Sequence, residues 1–171
     1  GLVWTDTVAL EGSKVGSMSR SLSYDINVSV ARWLDLLRAL ASCFVPASAD
    51  PSPEQALISL MGRLRCMPGA SECITLAFPP DAALLAFHAE HGDMTACPPG
   101  TVAVGCFWAR VRQQDDNICL SLDSATAAIA TLMRESLSLR SRFLQIADAA
   151  SATILVTDEW HASERLSLDS V

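Results

Sequence analysis

The motifs that identify the common enzyme and nucleotide-binding families are missing from this sequence. It contains no Gly-x-Ser-x-Gly nucleophile turn, no phosphate-binding glycine loop and no Gly-x-Gly-x-x-Gly dinucleotide fingerprint. No apolar run reaches the roughly 18 residues that a membrane-spanning helix requires. We therefore expect no cofactor, no membrane partner and, on balance, no enzyme.

Positive charge is also scarce. The chain has 12 lysines and arginines against 19 aspartates and glutamates, which gives a formal net charge of −7. Nucleic-acid-binding domains hold phosphates mainly through clustered positive charge, so we expect no nucleic-acid partner. Half of the 171 residues are apolar. This fraction excludes a disordered chain, and the length suits a single domain.

The six cysteines include no Cys-x-x-Cys pair, which argues against zinc-knuckle and thioredoxin-type sites. An even cysteine count indicates a disulfide framework mainly in short secreted chains. The first residues show neither a basic leader nor an apolar signal core. We therefore favour reduced cysteines in a cytoplasmic protein, and we keep one or more disulfides in a secreted protein as the alternative. The six are Cys43, Cys66, Cys73, Cys97, Cys106 and Cys119.

Regular alternation of apolar and polar residues predicts an antiparallel sheet. In Leu22–Val30 the apolar residues occupy every second position. Residues 101–111 and 118–122 are predicted to form a hairpin around Asp115-Asp116, because both strands then place their apolar residues on one face. The predicted register pairs Gln113 with Ile118, Val111 with Leu120 and Ala109 with Leu122.

Apolar residues spaced three and four apart predict helices elsewhere. The predicted helices are Ala31–Val45, a helix that starts at Pro53 with Ser52 as its N-cap, one long helix from Ser124 to Ala150, and a short terminal helix from Asp158 to Leu168. The long helix is expected to bury Leu132 and Phe143. Residues 82–90 are almost continuously apolar, which is compatible with a helix or a strand.

With further strands predicted at 73–78 and 152–157, the helices are grouped and do not alternate one for one with strands. This order is typical of an α+β fold in which helices pack against an antiparallel sheet. We predict a single domain over residues 20–171, preceded by an arm or hairpin at residues 1–19. An all-α bundle is the alternative, because two of the helical segments fit either architecture.

The densest group of metal-ligating residue types is the segment His88-Ala89-Glu90-His91-Gly92-Asp93, with Cys97 beyond it. A His-x-x-His pair brings two imidazoles near one face of a helix, so His88 and His91 are weak candidates for a metal site. Two solvated histidines beside a polar loop are the simpler interpretation. We therefore predict no metal, and keep a Cys/His-dependent or metal-dependent enzyme as an alternative.

Charge is unevenly distributed along the chain. Between Arg65 and Arg110 there is no lysine or arginine, and four acids lie in that interval: Glu72, Asp81, Glu90 and Asp93. A negative surface of this kind steers a basic partner towards the protein. On the outward face of the predicted hairpin, Trp108 and Arg110 are residue types enriched at binding hot spots. We predict that these six residues form a partner-binding surface.

An acidic domain without a recognisable catalytic set is expected to work by binding another protein. The most concrete hypothesis is a bacterial immunity-type protein that neutralises a basic toxin enzyme, a class analogy that depends on charge and size. The alternative is a secreted, disulfide-stabilised helical mediator or viral effector. The spacings Cys66–Cys73 and Cys97–Cys106 loosely resemble the two small disulfide loops of long-chain helical cytokines, and the resemblance covers only these four positions.

Overall fold

A single antiparallel sheet of seven strands organises the described part of the chain. The computed structural model describes residues 21–92, 98–158 and 161–168. The strands are β1 (Leu22–Ser29), β2 (Phe44–Val45), β3 (Glu72–Phe78), β4 (Val102–Gln114), β5 (Asn117–Ser124), β6 (Thr153–Asp158) and β7 (His161–Arg165). Their order in the sheet is β2-β3-β4-β5-β1-β6-β7, and every neighbouring pair is antiparallel.

Five α-helices cover one face of this sheet. They are α1 (Trp33–Ala41), α2 (Pro53–Arg65), α3 (Ala82–His91), α4 (Ala127–Glu135) and α5 (Leu137–Ala149), and a 3-10 turn at Val30–Arg32 leads into α1. The α+β prediction is therefore confirmed, and the all-α alternative is wrong. No helix among the described residues is long and apolar enough to cross a membrane. The predicted arm at residues 1–19 lies outside the described residues.

The core lies between the helices and the sheet face that the apolar alternation selects. Tyr24 is fully buried at its centre, where its hydroxyl donates to the Met133 carbonyl and its ring meets that of Phe143 edge to face at 5.1 Å. Burial raises the pKa of the Tyr24 phenol, although the charge of Arg140 opposes the rise. Leu132 and Phe143 are buried as predicted.

The predicted hairpin is confirmed residue by residue. Strands β4 and β5 pair Gln113 with Ile118, Val111 with Leu120 and Ala109 with Leu122, around a turn at Asp115-Asp116. The register holds because a slip of one residue would turn every apolar side chain of a strand to the other face. This pairing leaves Trp108, Arg110 and Arg112 on the sheet face that none of the described helices covers.

Two predicted elements are wrong in part, and the predicted terminal helix is wrong throughout its described residues. The first helix ends at Ala41, and Phe44–Val45 is a short edge strand, because this segment pairs with β3 through Leu76 and Thr75. The long helix is divided at Ser136 into α4 and α5. The terminal helix is replaced by β7, which pairs with the free edge of β6 and places Arg165 opposite Leu155.

Candidate functional site

Asp81 joins three helices and is not part of a free acidic surface. Its Oδ1 caps α3 by accepting from the Leu84 amide at 2.9 Å, and its Oδ2 accepts from the Ser136 hydroxyl at 2.8 Å and the Ser138 amide at 2.9 Å. Burial raises the pKa of this carboxyl, but these bonds and one from the Ala83 amide outweigh burial and leave the pKa below its ordinary value. Asp81, which the sequence predicts as a partner-binding residue, therefore uses its carboxylate for contacts within the fold.

The same contact fixes how α3 and α4 run past each other. Asp81 immediately precedes α3, and Ser136 immediately follows α4. Because their side chains touch, the start of α3 lies beside the end of α4. Both helices also line one groove, with residues from Ala83 to His91 and from Ala128 to Glu135, so they lie side by side and run in opposite directions.

A groove of about 280 Å³ lies between these two helices. Each wall is one face of a helix, with residues spaced three and four apart. The lining residues of α3 are Ala83, Ala86, Phe87, Glu90 and His91, and those of α4 are Ala128, Thr131, Leu132 and Glu135. The large apolar side chains of the lining are Phe87, which is partly buried against the core, and Leu132, which is buried, and they form an apolar floor.

Helix α3 is unusually apolar for its degree of exposure. Its sequence is AALLAFHAEH, yet Leu84 is its one fully buried residue, and Leu85 is 54% exposed. A helix that is apolar on all sides is normally enclosed by protein or membrane. In the described structure only the inner side of α3 is covered, so its apolar surface borders the groove and the solvent.

The histidine cluster does not assemble a metal site among the described residues. His88 and His91 lie near the end of α3, and His91 is about half exposed, with its Nε2 3.8 Å from a Glu90 carboxylate oxygen and its ring 5.2 Å from the Phe87 ring. Within the ranges that the structure describes, no three His, Cys, Asp or Glu residues are grouped as metal ligands. The predicted contributors Asp93 and Cys97 lie outside these ranges.

The sheet face without helices carries a row of hydrogen-bonded polar side chains. Asp25 accepts from the hydroxyls of Ser23, Ser121 and Thr157, and the Ser121 oxygen lies 2.8 Å from its Oδ1. The Ser163 hydroxyl lies 3.1 Å from that of Thr157. An antiparallel sheet with one solvated face ordinarily has this polar alternation, so the row is explained by its position alone.

Trp108 and Arg110 lie on this open face, as the hairpin register predicts. Trp108 is 43% exposed, and the Arg110 guanidinium forms a two-pronged ion pair with Asp123 through Nε at 3.0 Å and Nη2 at 3.2 Å. Glu72 lies at the exposed start of β3, opposite the core residue Ala109. The structure therefore does not bring the predicted site residues onto one surface, because Glu90 borders the groove on the other side of the sheet.

One pair of described cysteines is oxidised. Cys73 and Cys106 form a disulfide between β3 and β4, with their Cα atoms 5.4 Å apart. The expectation of reduced cysteines is wrong for this pair, and the cytokine-like pairing of Cys66 with Cys73 is wrong as well. The described free cysteines are Cys43, Cys66 and Cys119.

The two buried free thiols are poor candidates for nucleophiles. Burial raises the pKa of Cys43 to about 12. Burial also raises the pKa of Cys119, against a hydrogen bond from Ser121 that lowers it. Because the thiolate is the reactive form, both side chains behave as small core residues at neutral pH.

Comparison with protein-family models, curated proteins and solved structures finds no match to this chain.

The groove is the feature that sequence reasoning missed. A signal for it was present, since the near-continuous apolar run at residues 82–90 exceeds what one buried helix face needs. Its second wall, however, comes from a helix more than 35 residues further along the chain. The antiparallel contact of these two helices depends on Asp81 and Ser136, and no local pattern shows that pairing.

Proposed function

We propose that this chain is a non-catalytic protein-binding domain that receives a polypeptide segment in the groove between α3 and α4. The observation that carries the proposal is α3 itself, whose first six residues are all apolar although Leu84 is the one fully buried residue of the helix. Exposed apolar surface bordered by polar residues is typical of interaction sites. A groove between two helices is also a common receptor for an amphipathic peptide.

The more specific hypothesis of an immunity-type protein is supported by the net charge of −7, which favours a basic partner over long range. The Cys73–Cys106 disulfide supports the alternative of a secreted protein, because disulfides persist mainly in oxidising compartments. Binding through the groove is compatible with either setting, so the proposal does not depend on the compartment.

The proposal is tested with a random-peptide display library selected on the full-length protein. A matched selection uses Ala86→Trp, in which an indole fills the groove from an exposed position on α3. Thr131→Trp fills it from the opposite wall. Ala89→Trp, on the same helix but outside the groove lining, is the control.

We expect peptides that the wild type and Ala89→Trp enrich and that both groove-filling variants lose. A library in which no peptide distinguishes Ala86→Trp from the wild type would contradict the proposal. Far-ultraviolet circular dichroism of each variant checks that the fold is retained.

A further inference from the structure

The two ends of the groove carry carboxylates. Because α3 and α4 are antiparallel, Glu90 near the end of α3 lies towards Ala128, and Glu135 at the end of α4 lies towards Ala83. Glu90 lies seven positions after Ala83, which is about 10 Å along a helix at 1.5 Å per residue. The groove is therefore an apolar slot, about two helical turns long, with one acid at each end.

These carboxylates lack arginine partners among the described residues. The Glu90 side chain is 79% exposed, and its one described ion-pair contact is the His91 imidazole at 3.8 Å. The nearest arginine in sequence to Glu135 is Arg134, which instead bridges to Asp158 at 3.2 Å. Both acids are thus available to a cation that enters from outside.

We propose that the occupant of the groove is an amphipathic helix of a basic partner protein, a conclusion that rests on the proposed function. Such a helix places apolar anchors on the floor formed by Phe87 and Leu132, and one lysine or arginine beside each of Glu90 and Glu135. The basic residues are spaced i and i+7, which matches the separation of about 10 Å.

Spacing favours a helix over an extended segment. In a helix, residues i, i+3, i+4 and i+7 lie on one face, so the anchors and both cations reach the groove together. In a strand, a separation of about 10 Å corresponds to a step of three positions, from i to i+3, and the side chains of those two residues point to opposite faces. An extended peptide therefore cannot present both cations and an anchor to this groove.

Charge also distinguishes a foreign partner from a second copy of this chain. Two copies each carry a formal charge of −7, and their approach is opposed by mutual repulsion. Glu90 and Glu135 would add like charges at the contact. A basic partner relieves this repulsion and associates faster at low salt.

The test uses a fluorescein-labelled helical peptide of about 18 residues, built on alanine and glutamine, with leucines at i+3 and i+4 and arginines at i and i+7. One matched peptide has glutamates in place of the arginines, and another has alanines in place of the leucines. Binding to the full-length protein is measured by fluorescence anisotropy at low and high salt.

We expect the basic peptide to bind the wild type at least tenfold more tightly than either matched peptide. The double variant Glu90→Lys, Glu135→Lys should weaken its binding at least tenfold. Asp148 is an exposed acid on α5 outside the groove, and reversing this one charge in Asp148→Lys should alter the affinity less than threefold. Raising the salt from 0.1 M to 1 M should remove most of the preference, because the Debye length falls from about 10 Å to about 3 Å.

The failures are distinguishable. If the basic and acidic peptides bind equally and Ala86→Trp abolishes both, the partner chemistry is wrong while the groove remains a binding site. If Ala86→Trp changes the binding of none of the peptides, the groove is not a binding site, and both this inference and the proposed function fail. Self-association of the full-length protein that Ala86→Trp abolishes, measured by analytical ultracentrifugation, would assign the groove to a second copy and overturn the inference.

Discussion

Phe107 and Trp108 are consecutive aromatic residues on β4 with opposite environments. Phe107 is fully buried under the helices, whereas Trp108 is 43% exposed on the open face beside the Arg110–Asp123 ion pair. The pleat of the strand separates them, because successive side chains point to opposite faces. Residue type alone would favour the larger indole of Trp108 as the core residue. In this strand, however, the position of each residue decides which side chain is buried.

We expect Phe107→Ala to lower the free energy of unfolding by about 3–5 kcal/mol, through lost transfer energy and a residual cavity. Trp108→Ala should cost about 1 kcal/mol or less, since much of the indole is already in solvent and strand substitutions span about that range. Urea denaturation monitored by circular dichroism compares the two variants. Equal losses in the free energy of unfolding at both positions would show that Trp108 is also buried, and would contradict its assignment to an open face.

At the residue level, the sequence predicted the hairpin well because two independent alternations had to agree. The turn at Asp115-Asp116 leaves one register in which Val111 and Leu120 share the core face. The same reasoning placed Trp108 and Arg110 on the opposite face. It could not place Asp81, because its partners Ser136 and Ser138 lie 55 and 57 residues away.

Among the elements, the join between α3, α4 and α5 is held by one carboxylate and one buried hydroxyl. Ser136 is fully buried, donates to Asp81 and accepts from the Leu139 amide at 3.1 Å, so it caps α5 while it is tied to α3. A serine at this position breaks the predicted long helix, because its side chain satisfies amides at the start of a new one. The apolar spacing continues across the break, which is why periodicity did not reveal it.

The Asp81 carboxylate should make this join sensitive to acid. Its folded pKa lies below the unfolded value of about 3.9, so its contribution is complete above that value and is lost as the pH falls through the folded pKa. We expect wild type to be more stable than Asp81→Asn above about pH 5, with a difference that shrinks below about pH 4. Urea denaturation of both proteins across this range measures it.

Asp148→Asn is the control for that experiment, since it removes one exposed acid from α5 without touching the join. A stability difference between wild type and Asp81→Asn that stays constant down to pH 2 would contradict the assigned role of the carboxylate.

The edge elements show a second limit of sequence patterns. A terminal helix is the prediction for residues 158–168, whereas residues 161–165, His-Ala-Ser-Glu-Arg, form strand β7 without the alternation of apolar residues that indicates a strand. Polar and charged residues are, however, what a protected edge strand carries. This segment forms a strand because it pairs with the free edge of β6. That edge exists only once the sheet has formed, so the local sequence does not reveal it.

For the molecule as a whole, the disulfide determines how many free thiols can be measured. Six cysteines are present and two of them, Cys73 and Cys106, are paired, so at most four thiols should react with a thiol reagent in denaturant before reduction. All six should react after reduction. Reduction should also lower the free energy of unfolding by about 2–4 kcal/mol, since the bond closes a loop between residues 33 positions apart. Six reactive thiols in the untreated protein would contradict the disulfide.

The one-sided placement of the helices has a consequence for simultaneous occupancy. The groove between α3 and α4 lies on the helical side of the sheet, and Trp108 with Arg110 faces away from it across the sheet. Among the described residues, a helix seated in the groove would therefore not contact the open face. Two macromolecules could contact the domain from opposite sides at the same time without steric competition, and the sheet between them would keep their contacts apart.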